Sequence, residues 1–120
     1  MGSEHITKKI VVVTRNERAL TLKENLKKIG ITAMTIADIT TWTLSKKIML
    51  QRRGIPVTYD LTHRAKIEII VTNDLLDRAV DTIIQSTKTG KAGDGILYVT
   101  NVEDLINIST SQKGENAFGG

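Results

Sequence analysis

Hydrophobic positions along this chain switch between two periods, and the switches mark out six elements. Residues 9–14 hold the β-branched run Ile10, Val11, Val12 and Val13, the pattern of a buried strand. Ala19, Leu22, Leu26 and Ile29 then recur at helical spacing, with Asn16 ahead of them as a cap and Gly30 behind them as a stop. Residues 32–42 are rich in Thr and Ile, alternate loosely, and predict a second strand. Between 65 and 72 the alternation is clean: Ile67, Ile69 and Val71 face one way, Lys66, Glu68 and Ile70 the other. Asn73 or Asp74 caps a second predicted helix, which carries Leu76, Ala79, Val80, Ile83 and Ile84 on one face. Ile96, Leu97, Tyr98 and Val99 read as the last strand. Residues 102–106 predict a helical turn or a continuing strand, and 111–120 is polar and glycine-bearing, with its last residues expected to fray.

Strand, helix, strand, strand, helix, strand is the order of an α+β, ferredoxin-like βαββαβ domain: an antiparallel sheet with both helices on one face. The other sheet face needs a cover, and further copies of the chain would supply it. Residues 43–60 fit neither period. They mix Lys46, Lys47, Arg52 and Arg53 with Ile48, Met49 and Leu50, and contain Gly54 and Pro56. A loop this long inside a small domain is either solvated or functional. The functional version is a docking finger with Met49 and Leu50 as anchors and the cations facing an acidic partner surface. Trp42 is expected to pack at its base.

Composition narrows the chemistry. The 120 residues fit one domain. A net charge of +4 is mildly basic. With only Trp42, Tyr59, Tyr98 and Phe118 as aromatics, no stacking surface for nucleic acid emerges. Cysteine is absent, so disulfides and thiol chemistry are excluded, in keeping with a cytoplasmic protein. No apolar run is long enough to cross a bilayer. His5 and His63 are far apart, so no metal site is expected. No Ser-His-Asp, Cys-His or paired-carboxylate spacing suggests catalysis, and the chain is expected not to be an enzyme.

Gly90, Gly93 and Gly95 surround Lys91 and Asp94. Glycines let backbone amides converge on an anion, although many such turns are plain connections. The spacing is neither a Walker loop nor a dinucleotide fingerprint. Thr89-Gly90-Lys91-Ala92-Gly93-Asp94-Gly95 resembles the nucleotide-binding B-loop of the PII family of nitrogen and energy signalling proteins. The likeness runs from about 8 to 114. It takes in Gly30-Ile31-Thr32-Ala33-Met34-Thr35, Lys66-Ile67-Glu68-Ile69-Ile70-Val71 and Val80-Asp81-Thr82-Ile83-Ile84.

The resemblance implies a homotrimer that binds ADP, ATP or AMP in clefts between subunits. It also implies a PII-like domain over 8–114 with a B-loop at 88–95, a partner-docking T-loop at about 43–60, and flexible ends at 1–7 and 115–120. By the same likeness Thr35 would contact adenine, the Ile70 backbone would read its edge, and Glu68 would lie near the ribose. Glu68 reads equally as a solvated strand residue. The amides around Gly93, Asp94 and Gly95 would hold phosphate. The T-loop residues Lys46, Lys47, Met49, Leu50, Arg52 and Arg53 would meet a membrane transporter or a nitrogen-metabolism enzyme and so bring a cytoplasmic protein to a membrane without inserting into it.

The sequence also departs from the family pattern. Ile96 replaces a phosphate-contacting Lys or Arg, and Asn107 and Ser109 replace two arginines. Each missing charge-assisted bond is worth on the order of 1.5–3 kcal/mol. Lys91, Lys46, Arg15 and Arg64 are the candidate substitutes. Ser45 stands for the Gln that helps bind magnesium and 2-oxoglutarate. Thr41-Trp42-Thr43-Leu44 replaces a glycine-rich segment that makes room for the keto acid. Weak or absent 2-oxoglutarate sensing is therefore expected, and no tightly bound metal. Val57 replaces the tyrosine that some members carry for uridylylation.

Overall fold

The computed structural model describes residues 7–45 and 58–118. Its elements are β1 (Thr7–Arg15), α1 (Ala19–Lys28), β2 (Thr35–Ser45), β3 (Thr58–Thr72), α2 (Asn73–Thr87) and β4 (Gly95–Asn101). The sheet order is β2-β3-β1-β4 with every neighbouring pair antiparallel, as the ferredoxin-like arrangement requires.

Register explains where the core forms. Ile10 lies opposite Ile69 and Val12 opposite Ile67, so their side chains share one face. That face packs on Leu22 and Leu26 of α1 and on Ala79 and Ile83 of α2, all buried. The opposite face carries Lys9, Val11 and Val13 beside Lys66, Glu68 and Ile70, with Tyr98 and Ile96 on the β4 side. Val11 at its centre is buried, but Ile96 is 65% exposed and Tyr98 46%, so the β4 side of this face stays open in a single chain.

Helix ends differ from expectation. Asn16 sits in a one-turn 3-10 segment, Asn16–Arg18, and α1 begins at Ala19 without a side-chain cap. Strand β3 runs straight into α2, which puts Asn73 and Asp74 inside the helix; neither caps it, and Asp74 instead places its charge in the first turn. The predicted stop at Gly30 is present: its amide donates to the Lys27 carbonyl at 3.1 Å and that of Ile31 to Leu26 at 3.0 Å. On α2, Ile84 is exposed and Ser86 is buried. Burial of that serine is possible because its hydroxyl donates to the Thr82 carbonyl (2.6 Å) and accepts from Asn25 Nδ2 (2.8 Å).

β2 begins at Thr35 rather than at 32, and the β2–β3 ladder runs from Thr35↔Glu68 to Ser45↔Thr58. Pairing therefore extends into the stretch read from sequence as loop. Lys46, Lys47, Met49, Leu50, Arg52 and Arg53 lie outside the described residues. Trp42, expected to pack at the loop base, is 60% exposed on β2. After β4 the chain is placed as far as Phe118. An isolated bridge joins Ile106 to Lys113, a 3-10 turn spans Gly114–Ala117, and Asn107 Nδ2 donates to the carbonyl of the buried Ala117 at 3.2 Å.

Candidate functional site

The glycine loop between α2 and β4 is tied together by one carboxylate. Asp94 Oδ2 accepts from the Thr89 amide at 2.7 Å and the Gly90 amide at 3.3 Å, and Oδ1 accepts from the Thr89 hydroxyl. Arg15 Nε donates to Oδ1 at 3.2 Å. All of these contacts favour the charged carboxylate, with the Thr89 hydroxyl first, and hold Asp94 down to about 2 from 3.8. The loop's carbonyls turn toward the end of the sheet. Arg15 Nη2 donates to Ala92 (2.9 Å), Arg64 Nη1 to Gly93 (2.8 Å) and Thr14 Oγ1 to Asp94 (3.0 Å).

Gly95 has to be glycine. Its φ is +126°, and a Cβ there would lie 2.0 Å from the Val13 carbonyl oxygen across the β1–β4 ladder. Gly93, at φ +89°, presents to Arg15 and Arg64 the side on which a Cβ would sit. Lys91 is exposed at the tip of the loop.

The residues assigned to the base and sugar are elsewhere. Thr35, Glu68 and Ile70 line a hollow of about 500 Å³ with Asn107, Ser109 and Phe118. Glu68 is not merely solvated: Lys66 Nζ lies 3.3 Å from it and Lys9 Nζ 3.4 Å, and these two contacts lower its pKa. Asn107, read from sequence as the place of a missing cation, anchors a turn instead. Its Oδ1 accepts from the Ser109 amide (2.8 Å) and the Thr110 amide (3.1 Å).

The two halves are offset along the sheet: Glu68 pairs with Val11 in the middle of β1, whereas Arg64 and the loop lie at its Arg15 end. The loop leads into Gly95, which pairs with Thr14, whereas the hollow is built near Glu68, Ile70 and the chain beyond Asn101. From Arg64 to Glu68 and Ile70 is four and six strand residues, or about 13–20 Å.

Comparison with known proteins agrees with this architecture. The family model described as Nitrogen regulatory protein P-II matches residues 7–112. The chain belongs to that family. The nitrogen regulatory protein P-II of Klebsiella oxytoca is 36% identical over 111 residues, covering 92% of this chain and 99% of the relative. P-II 1 of Methanothermobacter thermautotrophicus is 33% identical, covering 92% and 96%. Among solved structures, the GlnK–ATP complex of B. subtilis aligns with a TM-score of 0.81 at 30% identity, over 97% of this chain and 99% of that one. Arabidopsis thaliana PII bound to citrate aligns at 0.77 and 27% identity, over 95% and 94%. As a P-II family member the chain is a regulatory signalling protein and not an enzyme.

Sequence reasoning named Arg15 and Arg64 among several cations without placing them. The structure brings both to the loop and leaves Lys91 pointing into solvent. Thr14, Arg18, Asn25 and Ser86 were missed. Arg18 donates through Nε (2.9 Å) and Nη2 (2.6 Å) to the Ser86 carbonyl, closing the C-terminus of α2 just ahead of the loop. An arginine beside a helix start carries no sequence signal for this role, because its partner is 68 residues away.

Proposed function

We propose that this P-II protein binds an adenine nucleotide in clefts between the subunits of a homotrimer and passes the bound state to a partner protein. Each cleft would combine the glycine loop of one subunit with the hollow at Thr35, Glu68 and Ile70 of the next. The observation that carries this reading is the separation of the two halves within one chain, together with the uncovered sheet face that assembly would bury. The P-II relative solved as a complex with ATP supports adenine as the base. Residues Thr89, Gly90, Lys91, Ala92, Gly93, Asp94 and Gly95 would serve the phosphates. The T-loop would dock a cytoplasmic enzyme or a membrane transporter.

Ile96, Asn107 and Ser109 supply no cation, which weakens triphosphate binding and favours ADP or AMP beside ATP. Ser45 and Trp42 argue for weak or absent 2-oxoglutarate sensing. Calorimetry with ATP, ADP, AMP and cyclic dinucleotides tests the proposal. Saturable heat with at least one adenine nucleotide is expected, and heats equal to buffer for all of them would contradict it. The same missing cations favour a second reading, a trimeric adaptor that ignores nucleotides. Gly93→Asp separates the two, because only an adaptor would keep nucleotide-independent partner binding.

A further inference from the structure

Arg15 and Arg64 are direct cross-strand partners at the end of the β1–β3 ladder. Like charges opposite each other destabilise a sheet, so this pair costs stability unless something compensates it. Asp94 compensates Arg15 through its 3.2 Å ion pair. Arg64 has no ion-pair partner among the described residues. The end of the sheet therefore holds a surplus positive charge directly behind the glycine loop.

The two guanidinium groups reach consecutive carbonyls, Ala92 and Gly93. In a planar trans peptide the following N–H points opposite to the carbonyl. Drawing these two carbonyls toward the sheet therefore turns the amides of Gly93 and Asp94 outward. A charged donor on a carbonyl also polarises its peptide, which strengthens the N–H as a donor on the far side. The three positions where the family pattern has a cation hold none: Ile96 is 65% exposed and apolar, Asn107 is occupied in its turn and Ser109 is neutral, which leaves Lys91 at the loop tip as the cation outside the loop among the described residues already considered.

We propose that Arg15 and Arg64 are positioning residues for phosphate. They act from behind the loop, through the 92–93 and 93–94 peptides, and compensate for the cations missing at Ile96, Asn107 and Ser109. This rests on the nucleotide reading above and deepens it: the ligand's charge is received by backbone amides, and its strength is set by two arginines that do not contact it.

The test is calorimetry of ADP and adenosine on the wild type, Arg15→Gln, Arg64→Gln and the double variant, with pyrophosphate titrations followed by amide NMR. Glutamine keeps a neutral donor to the carbonyl and removes the charge. ADP affinity is expected to fall about fivefold per substitution while adenosine is unchanged, and Arg64→Lys should restore most of the ratio. An unchanged ADP-to-adenosine ratio in the double variant overturns the inference, as does an equal loss for both ligands, which would mark a purely structural brace. In the wild type, pyrophosphate should shift the amides of Gly93 and Asp94 first; no shift there overturns the inference even if the variants fail to fold. Wild-type protein that takes pyrophosphate at these amides but no nucleotide overturns the adenine reading and leaves the arginine role standing.

Discussion

At the residue scale, the loop depends on one carboxylate and one glycine. Asp94 is held at about 2 against an ordinary 3.8, because the Thr89 hydroxyl, two loop amides and Arg15 all bond its charged form. A lowered pKa stabilises the folded loop above the unfolded value, and that contribution is lost as pH falls through the folded one. The amides of Thr89 and Gly90 should therefore keep their chemical shifts down to about pH 4 and titrate with a midpoint near 2. A midpoint near 4 would show that these bonds do not hold in solution. Gly95→Ala puts a methyl group where only 2.0 Å separates it from the Val13 oxygen. The strands must part or the backbone must strain, at a cost of about 3 kcal/mol or more. Chemical denaturation reads this directly, and an unchanged midpoint would mean that the loop reaches β4 by another path.

Among the elements, what the sequence made legible was periodicity. The strand at 65–72 and the helix with Ala79 and Ile83 follow from apolar spacing, because burial on one side leaves a mark at every second or every third and fourth residue. Caps were not legible. Asn16, Asn73 and Asp74 have the right chemistry, but the tight turn after β1 and the direct run of β3 into α2 move the helix starts past them. The turn that follows β4 was not legible either: it is held by the Ile106↔Lys113 bridge and the Asn107 to Ala117 bond, which no apolar period announces. The loop's seven residues were readable as a motif. That its carbonyls face two arginines was not, since Arg64 and Arg15 meet only through the β1–β3 register. Arg18 ties α2 to the start of α1 through two bonds to Ser86. Arg18→Ala should cost about 1–3 kcal/mol and raise hydrogen exchange at residues 87–89, which the α2 terminus feeds into the loop. Unchanged exchange there would confine Arg18 to general stability.

For the whole molecule, a single chain is an incomplete object. It leaves Ile96 and Tyr98 exposed on the sheet face opposite the helices and sets its glycine loop several strand residues away from the hollow at Thr35, Glu68 and Ile70. In the proposed trimer, rotation-related copies would cover that face and bring each loop to a neighbour's hollow in the same step. Ligand binding would then be linked to assembly, since a nucleotide that bridges two subunits stabilises only the assembled form. The most direct measurement uses two damaged chains, Gly93→Asp with its hollow intact and Thr35→Trp with its loop intact. Each alone should bind ADP far more weakly than the wild type. When the two are unfolded and refolded together in equal amounts, half of the loops and half of the hollows are sound, so about a quarter of the clefts should regain wild-type affinity by calorimetry. A mixed sample that binds no better than its two components would contradict a site shared between subunits and place it within one chain.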